Sequence, residues 1–190
     1  MKKISFQGKK GELHKQDICK FFGEELEEIP CETFSGVFDW VSDGTADFGI
    51  VPVENSFQGN IINNYKLLLE SDLWLVGEIK STWTGSSLSN TTRSFVISPR
   101  IYQHPGNNKI SLVFAPRHYS SALDECWEVF TGRRINPTLI KLGNTNKYWE
   151  NVFYIDFKGS LDLTFYIQAI VDLLKRAAFV KILGSYREAE

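Results

Sequence analysis

Glu54, Asn55 and Ser56 follow one another directly where the apolar run Gly49-Ile50-Val51-Pro52-Val53 stops, with Gly59 shortly after. A carboxylate, an amide and a hydroxyl in succession at the end of a strand are placed to offer hydrogen bonds to a ligand. Packing alone does not ask for that order. Further along, Asn90, Thr92 and Arg93 precede a second apolar run, Phe95-Val96-Ile97, so that a hydroxyl and a guanidinium stand together at a strand start. Taken by itself, a Thr-Arg pair there is most often a solvated edge, and Glu54 equally suits a strand-end cap.

The elements that must position these groups alternate. Ile4 and Phe6 mark a first strand, and a helical stretch from about Glu12 to Phe22 carries Ile18, Phe21 and Phe22 on one side before Gly23 stops it. Leu26 to Pro30 is short enough for a strand. Thr33 can cap a second helix with Phe34, Val37, Phe38 and Val41, closed by Asp43-Gly44. Asp47 to Val53 follows as a buried strand, Ile61 to Glu70 as a helix and Leu73 to Ile79 as another strand. This rhythm predicts an α/β layer with ligand groups at the carboxyl ends of strands. Ser81 to Asn90, rich in hydroxyls and containing Gly85, reads as a loop before the strand that opens with Thr91-Thr92-Arg93.

Beyond the turn-rich Gln103 to Asn108 lies a second unit. Ile110 to Ala115 reads as a strand, and Leu123, Cys126, Trp127 and Phe130 form an i, i+3, i+4, i+7 helical stripe. Ile135 to Leu142 and Trp149 to Phe157 are strands, Leu163, Ile167, Ile170, Leu174 and Ala177 stripe a helix, and Phe179 to Leu183 is a last strand. The order β-α-β-β-α-β is the ferredoxin-like arrangement. Two domains are expected, residues 1–99 and 109–187.

The 190 residues are 43% hydrophobic with a formal charge of −2, so the chain fills one or two ordinary cores and has no electrostatic reason to seek nucleic acid or an anionic membrane. No 18-residue apolar span and no signal-peptide core occur, so a soluble, cytoplasmic protein is expected. Cys19, Cys31 and Cys126 are widely spaced, which predicts neither a disulfide framework nor a zinc site. His14, His104 and His118 lack metal-ligand spacing, and no metal or other cofactor is expected.

Pro52-Val53-Glu54-Asn55-Ser56 followed by Gly59, together with Asn90-x-Thr92-Arg93, resembles the paired signatures of the prephenate dehydratase family. Ser111-Leu112-Val113-Phe114-Ala115, Val152 to Gly159 and Leu183-Gly184-Ser185-Tyr186 resemble the ACT domain that follows the catalytic region there. The resemblance implies one periplasmic-binding-protein-like α/β lobe followed by a ferredoxin-like ACT domain. The implied reaction is decarboxylative dehydration of prephenate to phenylpyruvate, in phenylalanine biosynthesis and without a cofactor. Thr92 is then the hydrogen-bond donor or acid at the departing hydroxyl, polarised by Asn55, Ser56 or Arg93, and Arg93 holds a carboxylate in an exposed cleft. Glu54, Asn55, Ser56, Gly59 and Asn90 line the substrate, and the chain forms a homodimer or higher homo-oligomer.

Several segments depart from the family pattern. A second catalytic lobe belongs between the strand at Leu73–Lys80 and the strand opening with Thr-Arg, but only about Thr82 to Asn90 bridge them here. Ser94 replaces a Phe, and Glu12-Leu13-His14 replace Thr-Phe-Ser after Gly8-x-x-Gly11. Of the phenylalanine-binding segments only Ala122 and Leu123 survive, in Ser120-Ser121-Ala122-Leu123, while Lys141-Leu142-Gly143-Asn144 stands for Glu-Ser-Arg-Pro. Phenylalanine is therefore not expected as a strong effector. Three readings follow: a shortened dehydratase, a non-catalytic regulatory or assembly relative, and an amino-acid sensor.

Overall fold

A computed structural model describes residues 1–11, 15–57, 59–84, 89–102, 104–117, 121–143 and 151–189. The chain divides into two units, Met1–Tyr102 with Glu188–Glu190, and Gln103–Arg187. Among the described residues no helix is long and apolar enough to cross a membrane.

The first unit runs β1 (Lys2–Gln7), α1 (Lys15–Phe22), β2 (Leu26–Cys31), α2 (Phe34–Ser42), β3 (Phe48–Asn55), β4 (Gly59–Asn60), α3 (Ile62–Glu70), β5 (Trp74–Thr84) and β6 (Ser89–Ser98). Its sheet has the order β2-β1-β3-β6-β5, with β4 paired to β3. The first three strands are parallel and joined through helices; β6 and β5 are antiparallel additions. Thr33 does cap α2, its hydroxyl accepting from the Gly36 N–H at 3.1 Å, and Val37, Phe38 and Val41 bury the helix's inner face. Phe22 and Ile18 of α1 pack with Ile4, Phe6, Ile50, Ile79 and Val96 on one face of the sheet. On the other face α2 meets β3 so closely that a Cβ on Gly49 would lie 2.9 Å from Val37.

Two expectations about this sheet need correction. Ser81 to Thr84 and Ser89-Asn90 are not loop but strand, and β5 and β6 pair out to Thr84 opposite Ser89. Thr82, Trp83, Thr84, Thr91 and Thr92 are β-branched or aromatic, and that propensity outweighs the loop-like hydroxyl content. The Thr82 and Thr91 hydroxyls meet across the ladder at 3.1 Å. β3 also continues past Val53, so Glu54 and Asn55 are strand residues, and Gly59, at φ +72, turns the chain into the short β4. Helix α1 is described from Lys15; the expected start at Glu12 and the Glu12-Leu13-His14 departure lie outside the described residues.

The second unit runs β7 (Lys109–Pro116), α4 (Ser121–Thr131), β8 (Pro137–Gly143), β9 (Val152–Lys158), α5 (Thr164–Arg176) and β10 (Ala177–Tyr186). Its fully antiparallel sheet has the order β10-β7-β9-β8, which is the ferredoxin-like topology expected. Ile110, Leu112 and Phe114 of β7 and Phe153, Ile155 and Phe157 of β9 pack against Cys126, Val129 and Phe130 of α4 and Ala169, Ile170 and Leu173 of α5. Burial pushes the Cys126 thiol pKa up, with Glu125 adding to the effect. The α5 stripe differs from expectation: Leu163, Ile167 and Leu174 are exposed, and Ala169, Ile170 and Leu173 face the core. This helix carries apolar residues on more than one face, so periodicity alone admits either choice. Trp149, expected in a strand, lies outside the described residues.

Arg133 and Lys175 both pair with Asp172, Lys175 at 2.9 Å, and Arg176 reaches Glu128 of α4 at 2.9 Å. The hydrogen bond from Lys175 holds the Asp172 carboxyl below the usual range, with Arg133 and Gln168 adding to it. A lowered folded pKa stabilises above the unfolded carboxylate range and is lost as pH falls through the folded value. Asp172→Asn should therefore lower the urea midpoint at pH 7, and the gap from wild type should close on acidification below about pH 4. For the α2 cap, Thr33→Ala should cost about 1 kcal/mol and Thr33→Ser much less, read from the same urea curves.

Candidate functional site

The site is built by the pairing of β3 with β6. A bulge between Pro52 and Glu54 shifts the register, after which Glu54 lies opposite Arg93 and Asn55 opposite Thr92. Bulging takes carbonyls out of the ladder. α3 and its entry supply partners: the Asn64 side chain donates to the Pro52 carbonyl at 2.6 Å and the Ile61 N–H to that of Val53 at 3.0 Å. The shifted strand end is thereby held from the helix side.

Asn55 donates from Nδ2 to the Thr92 hydroxyl oxygen at 2.8 Å. Its Oδ1 accepts from the Phe57 N–H at 3.0 Å, which fixes the orientation of the amide. A hydroxyl that accepts such a bond is a better donor through its own O–H. Ser56 is used differently: it accepts from the Thr91 N–H at 3.0 Å and donates to Asn90 Oδ1 at 3.0 Å. Its own N–H reaches the Thr91 carbonyl at 2.9 Å. Ser56 and Asn90 together clasp the turn to β6, and Gly59, opposite Asn55 in β4, lets the chain fold back.

Arg93 is not exposed. It is 7% accessible, with Nε at 2.7 Å and Nη2 at 2.6 Å from Oε2 of Glu78, itself 3% accessible. Nη1 lies 3.4 Å from Glu54 Oε2, and the guanidinium sits 4.6 Å over the Phe95 ring. The expectation of an exposed guanidinium is corrected accordingly: Arg93 is buried between Glu78 and Glu54 within the sheet. Successive strand residues point to opposite faces, so the register separates two groups. Asn55, Thr92 and Ser81 share the face that carries Ile79 and Val96 under α1, while Glu54, Arg93 and Glu78 share the face of Phe95, which contacts Tyr65 of α3 at 5.9 Å. Of the three groups expected to polarise Thr92, Asn55 alone is shown bonded to its hydroxyl.

Glu78 escaped the sequence reading. A carboxylate beside Gly77 in an otherwise apolar strand was the available signal, since a buried charge needs a partner. In the second unit, Ala122 is buried in α4 and Leu123 packs against its core. Lys141 is buried on β8 and Leu142 exposed; Ser120 and Asn144 lie outside the described residues. Among the described residues no three His, Cys, Asp or Glu side chains are grouped to hold a metal ion.

A family model described as Prephenate dehydratase matches residues 4–106, the span that carries this arrangement. The chain belongs to the prephenate dehydratase family. It is 24% identical to the bifunctional chorismate mutase/prephenate dehydratase of Aquifex aeolicus over 267 aligned positions, covering 98% of this chain and 74% of that one. Those positions outnumber the 190 residues here, so the relative carries residues with no counterpart. With the corresponding Escherichia coli K12 enzyme the identity is 33% over 107 residues, 54% of this chain and 28% of that one. Among solved structures, the prephenate dehydratase of Streptococcus mutans superposes with a TM-score of 0.81 at 25% identity, covering all of both chains. A structure described as "GqqA- a novel type of quorum quenching acylases" gives 0.79 at 25% identity, covering 97% of this chain and 94% of that one.

Removal of Glu78 would leave Arg93 buried beside a lost partner. Glu78→Ala should destabilise by about 3–5 kcal/mol, whereas Thr92→Ala, which loses one half-exposed bond, should cost about 1 kcal/mol. Urea unfolding of both variants measures the difference; equal midpoints would show that the ion pair is solvated.

Proposed function

We propose that this chain is a shortened prephenate dehydratase that converts prephenate to phenylpyruvate, carbon dioxide and water. The observation that carries this is the Asn55 to Thr92 hydrogen bond at 2.8 Å, within the span matched by the family model. In the reaction the bond from ring to carboxylate breaks, its electron pair enters the ring, and the opposite C–O bond breaks as the hydroxyl leaves. Aromatisation supplies the driving force. Thr92, polarised by Asn55, donates to the departing oxygen, and solvent restores the proton. A Thr hydroxyl is a weak acid, so its main contribution is a donor aimed where charge develops. Arg93 acts through the sheet, tying Glu54 to Glu78, and thereby steadies the strand that presents Asn55.

The second lobe of the family is absent in this reading. Only four residues separate Thr84 from Ser89 in the β5–β6 hairpin, and the longer relative has residues unmatched here. One wall of the cleft is then open, and water exclusion and positioning weaken. The second unit acts as an ACT domain in a cytoplasmic homodimer, with little phenylalanine control because Ala122 and Leu123 are spent on its core.

Hydrolysis of an N-acyl amide is a second reading, supported by the 94% coverage of a chain described as an acylase. One experiment separates the two: the folded chain is incubated at neutral pH with prephenate and, separately, with a fluorogenic N-acyl amide. Phenylpyruvate should form above the uncatalysed rate, and Thr92→Ala should reduce that rate at least about tenfold. Amine release without phenylpyruvate favours the acylase; no turnover of either substrate leaves a non-catalytic relative.

A further inference from the structure

Trp83 has no part in the chemistry above, yet it is 58% exposed on a strand whose next-but-one residue pairs with Thr92. The ladder places Trp83 opposite Asn90, Ser81 opposite Thr92, and Thr92 opposite Asn55. Residues two apart share a face and lie about 6.6 Å from each other. The indole therefore belongs to the same face as the Asn55–Thr92 pair, one step beyond it toward the hairpin tip. α1 covers this face only in part. Phe21 is packed over Gly77, where a Cβ would fall 2.1 Å from its ring, and Ile79 is buried, but Ser81 is half-buried and Trp83 open.

The strand segment that carries Trp83 is held to its neighbour on either side of the ladder. Thr82 and Thr91 bond across the hairpin at 3.1 Å, and Asn90, opposite Trp83, accepts from Ser56 at 3.0 Å. A large aromatic surface left in water beside a polarised hydroxyl suits a ligand with one flat apolar face and one oxygen. Distance supports it: Trp83 and Thr92 are diagonal neighbours across the ladder, about 7–8 Å apart, a span that a six-membered ring against the indole with an exocyclic oxygen can bridge.

We propose that Trp83 is the apolar wall of this site and selects ligands bearing a six-membered ring, the ring packing on the indole and, in the unreacted precursor, the ring hydroxyl meeting Thr92. This rests on the dehydratase reading for the kind of ligand, a ring-bearing 2-oxo acid or its precursor. It adds a specificity residue contributed by the hairpin that joins β5 directly to β6.

Calorimetry with phenylpyruvate and with pyruvate, which lacks the ring, tests this on wild type, Trp83→Leu and Trp83→Phe. Indole N–H resonances are followed by NMR, that of Trp83 being the one missing from Trp83→Leu. Phenylpyruvate should bind wild type about tenfold or more tightly than pyruvate and shift the Trp83 indole signal. Trp83→Leu should lose most of that preference and Trp83→Phe keep most of it, with urea midpoints unchanged because the side chain is exposed. If Trp83→Leu keeps the full preference, the wall assignment is overturned and the dehydratase reading stands. If phenylpyruvate does not bind wild type, the wall assignment is overturned, and the dehydratase reading is decided separately by phenylpyruvate formation from prephenate.

Discussion

The antiparallel register of β3 against β6 is the constraint on which the rest of the site depends. Because side chains alternate along a strand, setting Asn55 opposite Thr92 also sets Glu54 opposite Arg93 on the reverse face. A slip of one residue would exchange the two sets, burying the amide and hydroxyl and exposing the ion pair. The bulge after Pro52 selects the register, and Asn64 and Ile61 bond the carbonyls beside it. The Ser56 to Asn90 clasp then holds the end of the strand pair.

Energetics divide the work between the two faces. Unit charges about 4 Å apart attract by about 1 kcal/mol in bulk water and about 4 kcal/mol at an effective dielectric near 20. Burial of Arg93 and Glu78 places their pair nearer the second regime, so its geometry specifies the register strongly. A guanidinium so engaged has little left to offer a ligand. The face of Asn55, Thr92 and Ser81 is half-buried, and on the proposed function it is the face where substrate meets the Thr92 hydroxyl. Rigidity on one face and availability on the other come from one ladder.

Much of this was legible locally. Thr33 as a cap and the β-α-β-β-α-β order of the second unit depend on neighbours in sequence, and the structure has both. The strand end at Glu54-Asn55 was recognisable by its residue types, though its bulge was not. Nonlocal facts were hidden. Nothing near Arg93 in sequence announces Glu78, 15 residues earlier, because the pair exists only once β5 and β6 meet. Ser81 to Asn90 misled in a different way: hydroxyl content suggested a loop, while β-branching and cross-strand pairing built a hairpin that carries Trp83. In α5, surplus apolar residues left the core-facing side undetermined until the sheet was in place.

The account stands on the claim that the Asn55–Thr92 face receives the ligand and the Arg93–Glu78 face does not. A crystal structure of the chain with phenylpyruvate bound addresses that directly. The predicted result is the para carbon of the phenyl ring, which carried the departing hydroxyl, within about 4 Å of the Thr92 hydroxyl, with the Arg93–Glu78 pair undisturbed. A ligand carboxylate bonded to Arg93, with Glu78 displaced, would contradict it.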